Sequence, residues 1–355
     1  MIKELIEKAV EIRASDLHLT VFKSPVFRVN GELINLPEYP KMTVEQLKDI
    51  ADEMLPGDAY RERLEEDGQV DFSSSLHGVG RFRVNLYIQR GSYAAAIRLI
   101  PFQIPELDDL GLPPVVRELA IKDRGLVIVT GRTGSGKSTT LAAMINLLNK
   151  EKSLNIITLE DPIEYLYRHE KSIVNQREVG VDTSGFAPAL RAALRQDPDV
   201  ILVGEMRDLE TISTAVTAAE TGHLVLATLH SSSAAQTVDR IIDVFPPHQQ
   251  EQIRVQLGAT IQGIVSQQLI PRADGRGRVV AAEILIATPA VRSLIRDGKT
   301  YQIDSVIETG ASLGMVTMDK TLKNLYQKNL ISYDEASKRA SGRGALMEYL
   351  RGGGN

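Results

Sequence analysis

Apolar residues recur at helical spacing from the start of the chain, at Ile2, Leu5, Ile6, Ala9, Val10 and Ile12. This stripe predicts an opening amphipathic helix. Short β-like runs follow at 17–21 and 26–34, with an Asn30-Gly31 turn inside the second, and 44–54 is a second helical pattern. The clearest strand is 81–89, where Phe82, Val84, Leu86 and Ile88 alternate with Arg81, Arg83, Asn85, Tyr87 and Gln89. Period two of this kind puts one face in a core and the other in water. Arg90-Gly91 turns the chain into a partner strand, 93–100, with Arg98 on its polar side. Residues 1–100 therefore read as an α+β unit.

Pro101, Pro105, Pro113 and Pro114 then crowd a segment that neither helix nor strand tolerates, so 101–114 reads as a Pro-rich linker. Beyond it the pattern changes. The runs 126–130, 155–159, 200–203 and 224–229 are short and apolar, as fully buried parallel strands are, and helical stretches separate most of them. Residues 115–355 thus read as an α/β domain with a largely parallel sheet and a helical C-terminal part from about 289.

Composition narrows the classes. A net charge of −5 argues against a general nucleic-acid binder. The absence of cysteine removes disulfides, Cys-ligated zinc and thiol catalysis, and it fits a reducing cytoplasm. No uninterrupted apolar core marks a signal peptide at the N-terminus, and no run reaches the roughly 18 apolar residues of a membrane span. Any membrane role is therefore expected to be peripheral. The closing Gly-Gly-Gly-Asn reads as a frayed end.

The chemistry is concentrated in Gly131-Arg-Thr-Gly-Ser-Gly-Lys-Ser138, a GxxxxGK[ST] loop between an apolar strand and a helix. Gly131, Gly134 and Gly136 allow backbone N–H groups to form an anion nest, and the helix N-terminus adds positive potential. Thr133, Ser135 and Thr139 complete the phosphate-binding set. Lys137 is expected on the β- and γ-phosphates, and Ser138 on Mg²⁺. The strand 200–203 leads to Glu205, whose place at a parallel strand's C-terminal end aims it at the ligand crevice. Glu205 is expected to hold Mg²⁺ through water or to orient the attacking water.

Glu160, Asp161 and Glu164 end another strand, and such a cluster calls for a nearby cation. His230 closes the strand 224–229 and is expected at the γ-phosphate, whereas His223, at its other end, reads as either functional or structural. On residue physics alone, Arg81, Arg83, Arg90 and Arg98 read as a solvated strand face.

Taken together these motifs resemble the secretion ATPases of type II secretion and type IV pilus systems, and within them the pilus-retraction (PilT-type) branch. The resemblance covers nearly the whole chain and rests on 14–19, 80–85, the Walker A loop 131–138, an Asp-box-like 160–164, the Walker B segment 199–208 and the His-box-like 221–230. The branch assignment rests on 290–297, similar to its AIRNLIRE-type motif, followed by Gln302-Ile303 and 314–319. Arg132 departs from the family's usual proline, and Ser293 and Asp297 from its Asn and Glu. The resemblance implies a PAS-like N-terminal domain, a RecA-like ATPase domain and a hexameric ring with ATP between the domains.

It further implies that Glu205 and Glu164 are catalytic acids, that His230 contacts the γ-phosphate, and that Arg83 and Arg98 reach the nucleotide, reversing the solvated reading for those two. The implied activity is ATP hydrolysis powering pilus retraction on an inner-membrane platform protein, at the cytoplasmic face of the inner membrane. Rival readings are a pilus-extension or secretion motor, disfavoured because such homologues carry an extra N-terminal domain and a four-cysteine zinc site, a nucleic-acid translocase, and a nucleotide switch that hardly turns over.

Overall fold

The computed structural model describes residues 1–29, 31–76, 80–100 and 104–340. The expected turn at Asn30, Pro101 of the linker and the terminal glycines lie outside the described residues. The chain divides into two compact units, 1–103 with 164–166 and 104–163 with 167–355.

The first unit runs α1 (Ile2–Glu11), β1 (Asp16–Leu19), β2 (Val26–Val29), β3 (Glu32–Asn35), α2 (Val44–Met54), α3 (Asp58–Asp67), β4 (Gln69–Leu76), β5 (Gly80–Gln89) and β6 (Ser92–Ile100). Its strands pair antiparallel in the order β3-β2-β1-β6-β5-β4. The α2 boundary follows from a capping box, in which the Thr43 hydroxyl accepts from the Gln46 N–H and the Gln46 side chain accepts from the Thr43 N–H. Behind that cap, Leu47, Ile50, Ala51 and Met54 fall on one buried stripe. In β5 the alternation holds for most of its length, with Phe82, Val84 and Leu86 buried in the core and Arg83 exposed, but Ile88, expected on the same apolar face, is exposed near the strand's end. The expectations missed α3 and β4. Leu64 is the one buried residue of the highly charged α3, so that helix carries no apolar stripe to read.

The polar face of this sheet carries a charged rung. Arg28 pairs with Asp16, Asp16 with Arg98, and Arg98 with Arg83, each directly opposite the next across β2, β1, β6 and β5. Like charges facing across strands repel, and Asp16 lies among them to offset this, with Arg98 Nε at 2.9 Å and Arg28 Nε at 3.8 Å. Burial disfavours the Asp16 charge, but hydrogen bonds from Arg98 and Ser15 hold its pKa below the ordinary carboxylate value. Arg83 has Asp71 at 3.9 Å.

The second unit runs α4 (Val115–Ala120), β7 (Gly125–Thr130), α5 (Lys137–Glu151), β8 (Asn155–Glu160), β9 (Ile173–Glu178), α6 (Phe186–Ala193), β10 (Val200–Val203), α7 (Leu209–Glu220), β11 (Leu224–Leu229), α8 (Ala234–Asp243), α9 (Pro247–Thr260), β12 (Ile261–Pro271) and β13 (Arg278–Ile286). Then follow α10 (Pro289–Arg296), α11 (Ile303–Thr309), α12 (Met318–Gln327) and α13 (Tyr333–Arg339). The sheet order is β13-β12-β7-β11-β10-β8-β9, parallel except for the β12–β13 hairpin.

Every residue of β7 and β11 is buried because helices cover both faces. Leu126 and Ile128 pack with Ile212 of α7 and Val238 of α8, whereas Val127 and Val129 pack with Leu141 and Met144 of α5. Each such aliphatic side chain contributes about 1.5–3 kcal/mol by leaving water. This is the RecA-like α/β arrangement expected. β9 and the β12–β13 hairpin were not foreseen. Loops follow the C-terminal ends of β7, β8, β10 and β11, the edge at which an open parallel sheet binds ligands.

Candidate nucleotide site

Residues 131–136 connect the end of β7 to the start of α5. Gly131 and Gly136 adopt φ of 145° and 90°, a region open to glycine. At Gly131 a Cβ would also sit 2.4 Å from the Gln267 carbonyl oxygen and 2.5 Å from Ser135 Oγ. With Gly134 at φ 77° between them, the loop has the alternation that gathers N–H groups around an anion, and α5 adds its positive end. Ser135 Oγ is buried with no hydrogen-bond partner among the described residues, a polar atom that a phosphate or its water would satisfy.

The expected residues of this loop come together. Thr133 is exposed, and Ser138 and Thr139 lie half-buried in the first turn of α5. Lys137 is 9% exposed, and its Nζ donates to the Gly131 and Arg132 carbonyls at 3.0 and 3.3 Å, with His230 Nδ1 at 3.5 Å. An ammonium only donates, so Nδ1 accepts in that contact, and Nε2 faces Glu205 Oε1 at 3.1 Å. Lys137, His230 and Glu205 thus form one chain of polar contacts.

Short backbone bonds hold this chain in place. The Thr130 hydroxyl donates to the Leu229 carbonyl and accepts from the Ser231 N–H, at 3.1 and 3.0 Å, which pins the peptides on both sides of His230 to the end of β7. Beyond β10, Gly204 N–H donates to the Leu159 carbonyl and Met206 N–H to the Thr228 carbonyl, so neighbouring strands grip the backbone on either side of Glu205.

Arg207 Nε lies 2.6 Å from Glu205 Oε1. Burial pushes the Glu205 carboxyl up, but the Arg207 hydrogen bond, with the fields of His230, Arg207 and Lys137, outweighs it and holds the group below the usual carboxylate range. The sign of a substitution follows. A lowered pKa keeps the carboxylate present at lower pH, and losing Arg207 removes the main lowering influence. In Arg207→Ala the acid limb of a kcat/KM–pH profile should therefore move to higher pH; an unmoved limb would show that Glu205 does not set it.

The other acids have local duties or belong elsewhere. Glu160 Oε1 accepts from Thr158 Oγ1 at 2.6 Å and Gln176 Nε2 at 3.1 Å, so its own sheet satisfies it. Asp161 adds to the field that raises the Arg207 pKa, after Glu205 itself. Glu164 groups with the first unit, as do Arg83 and Arg98. Asp208 caps α7 through the Thr211 N–H at 2.8 Å, and Asp199 accepts from the Asn155 N–H at 2.8 Å, so both ends of the Walker B segment are structural. His223 Nδ1 lies 2.9 Å from the Ala218 carbonyl, a local role.

Among the described residues no group of three or more His, Asp or Glu could hold a metal. The residues that would hold a Mg²⁺ ion beside the phosphates are the Ser138 hydroxyl and, through water, Glu205. Sequence reasoning assigned no role to Arg207, although it lies two residues from Glu205. It also missed Thr130 and Gln267, whose contacts are distant in the chain. An open cleft of about 800 Å³ reaches the loop, with Thr133, His230, Ser232 and Gln236 in its walls.

A buried strand, a glycine-rich anion nest and a helix carrying Lys137 and Ser138 define a P-loop nucleotide-binding protein. The chain belongs to the Type II/IV secretion system protein family, whose model matches residues 1–351. It is 50% identical over 341 residues to the Type IV pilus retractation ATPase PilT of Pseudomonas aeruginosa, covering 96% of this chain and 98% of that one. It is 49% identical over 321 residues to a twitching motility protein of Neisseria gonorrhoeae, covering 90% and 85%. Among solved structures, the pilus retraction motor PilT with bound ADP superposes with a TM-score of 0.90 at 51% identity, covering 98% of this chain and 99% of that one.

Proposed function

We propose that this chain is a motor that hydrolyses ATP to ADP and phosphate and drives type IV pilus retraction as a homo-hexamer. The observation that carries the reading is the Lys137–His230–Glu205 chain at a glycine-built P-loop, in a protein similar end to end to retraction motors.

In this reading the loop amides and Lys137 bind the β- and γ-phosphates, and Ser138 holds the metal. Mg²⁺, when bound, neutralises charge developing on the phosphate oxygens. Glu205 orients the attacking water and takes its proton, aided by Glu164, and Arg207 keeps Glu205 ionised for that task. His230 links the γ-phosphate position to Glu205, so both respond to the same event. Arg83 and Arg98 of the first unit supply positive charge to the transition state, and Glu160 supports this acidic strand end. Loss of the γ-phosphate then changes the contacts made at the loop, and repeated around a ring this moves a central partner.

That partner is the inner-membrane platform protein, engaged from the cytoplasmic side. Among the described residues no helix is long and apolar enough to cross a membrane, and contact with the membrane runs through the platform. Nucleic acid has no part in this reading.

The test is to express the chain in a piliated Pseudomonas aeruginosa strain lacking its own retraction motor, and to assay the purified protein for Mg-ATP hydrolysis and mass by light scattering. Restored retraction together with ATP hydrolysis by a hexamer is the expected result. Hydrolysis by a hexamer that leaves pili unretracted would reject the retraction output and point to another secretion motor.

A further inference from the structure

We propose that Gln267 is a positioning residue for the phosphate loop, one that holds the Ser135–Gly136 peptide in its anion-binding orientation without touching the nucleotide. The inference rests on the P-loop reading above and goes beyond it, because Gln267 lies outside every motif that identifies the site.

β12 pairs in parallel with β7, and Ser266 is in register with Thr130, so Gln267 sits level with the start of the loop. Its side chain is only 1% exposed, and a buried amide must satisfy both of its ends. Nε2 donates to the Ser135 carbonyl at 2.9 Å and Oε1 accepts from Thr140 Oγ1 at 3.0 Å. A carbonyl only accepts, so the amide can face Ser135 in one orientation alone. One side chain therefore ties the loop to the first turns of α5. The same residue presses on the loop at two glycines. Its carbonyl oxygen would meet a Cβ at Gly131 at 2.4 Å, and its Nε2 one at Gly136 at 3.1 Å.

The consequence follows from peptide geometry. In a planar trans peptide the C=O of Ser135 and the N–H of Gly136 point opposite ways. Drawing the carbonyl towards β12 turns the Gly136 N–H away from β12 and into the nest. Gly136 has no Cβ to resist a flip of that peptide. A flipped peptide would put a carbonyl dipole where phosphate oxygens must go. The Gln267 bond is the restraint that opposes it.

The test uses Mg-ADP and the full-length protein. Gln267→Met keeps length and burial but has no donor, and it should bind Mg-ADP about tenfold more weakly, the scale of one lost hydrogen bond. Its melting midpoint without nucleotide should fall by only a few degrees, because the Ser135 carbonyl and the Thr140 hydroxyl each lose a partner. Gln267→Glu gives a readout that a packing role would not move. At alkaline pH its carboxylate repels both the Ser135 carbonyl and the phosphates, and affinity is low. As pH falls the buried carboxyl takes up a proton, its O–H donates to Ser135, and affinity recovers towards wild type. Neither wild type nor Gln267→Met should show that recovery.

Wild-type affinity in Gln267→Met, or a lowered melting point with unchanged affinity, overturns the proposal. So does a Gln267→Glu variant without pH recovery, which remains decisive if the methionine variant fails to fold. If wild type itself binds no Mg-ADP, the P-loop reading fails instead, and the two failures are told apart.

Discussion

Glu205→Gln lowers kcat for ATP hydrolysis by about 10²–10⁴-fold, the usual contribution of a positioned general base, and leaves Mg-ADP affinity within about twofold of wild type. The amide matches the carboxylate in shape, and its oxygen still accepts from Arg207 and from His230 Nε2. Only the charge and the proton-accepting capacity disappear. Loss confined to kcat marks an interaction made in the transition state. Steady-state kinetics beside calorimetric ADP titration separates the cases. Unchanged kcat would favour a nucleotide switch in which Glu205 is a bystander. Loss of ADP affinity would mean that Glu205 holds the loop together rather than serving the reaction.

Lys137→Ala removes nucleotide binding itself, by about 10²–10³-fold in Mg-ADP affinity, the scale of a lost buried charge-assisted contact. The Lys137 ammonium is the cation inside the loop, and it also organises three neighbours, the Gly131 and Arg132 carbonyls and His230 Nδ1. Without it those carbonyls would repel the incoming phosphates. Lys137→Arg should not restore binding, because a planar guanidinium is too wide for a buried point-charge site. Fluorescent-ADP titration reads both variants. Retained affinity in Lys137→Ala would remove the lysine from phosphate binding and leave the glycine nest and helix N-terminus as the whole anion site.

Legibility in the sequence tracks how local each cause is. α2 was readable to its ends because its cap lies three residues along the chain, and β5 because alternation is an intrastrand property. The P-loop was readable because the chain atoms that build it are contiguous. α3 failed because a charged surface helix with one buried residue has no apolar period. β12 failed because Gln262, Gly263, Gln267 and Gln268 interrupt its apolar run, although the fold buries most of it between β7 and β13. Gln267 was illegible for a related reason. Its two partners lie 132 and 127 residues away, so nothing near it in the chain announces its work. In the acidic run 160–164, the partners of Glu160 were equally hidden, because one of them, Gln176, lies on the neighbouring strand.

The arginine rung of the first unit has a thermodynamic consequence. Arg28, Arg98 and Arg83 share two carboxylates, Asp16 and Asp71, so the sheet folds with surplus positive charge held on one face. In the reading proposed above, where Arg83 and Arg98 meet phosphate, a bound polyanion would offset that repulsion, and by linkage its binding energy would appear as stability of the unit.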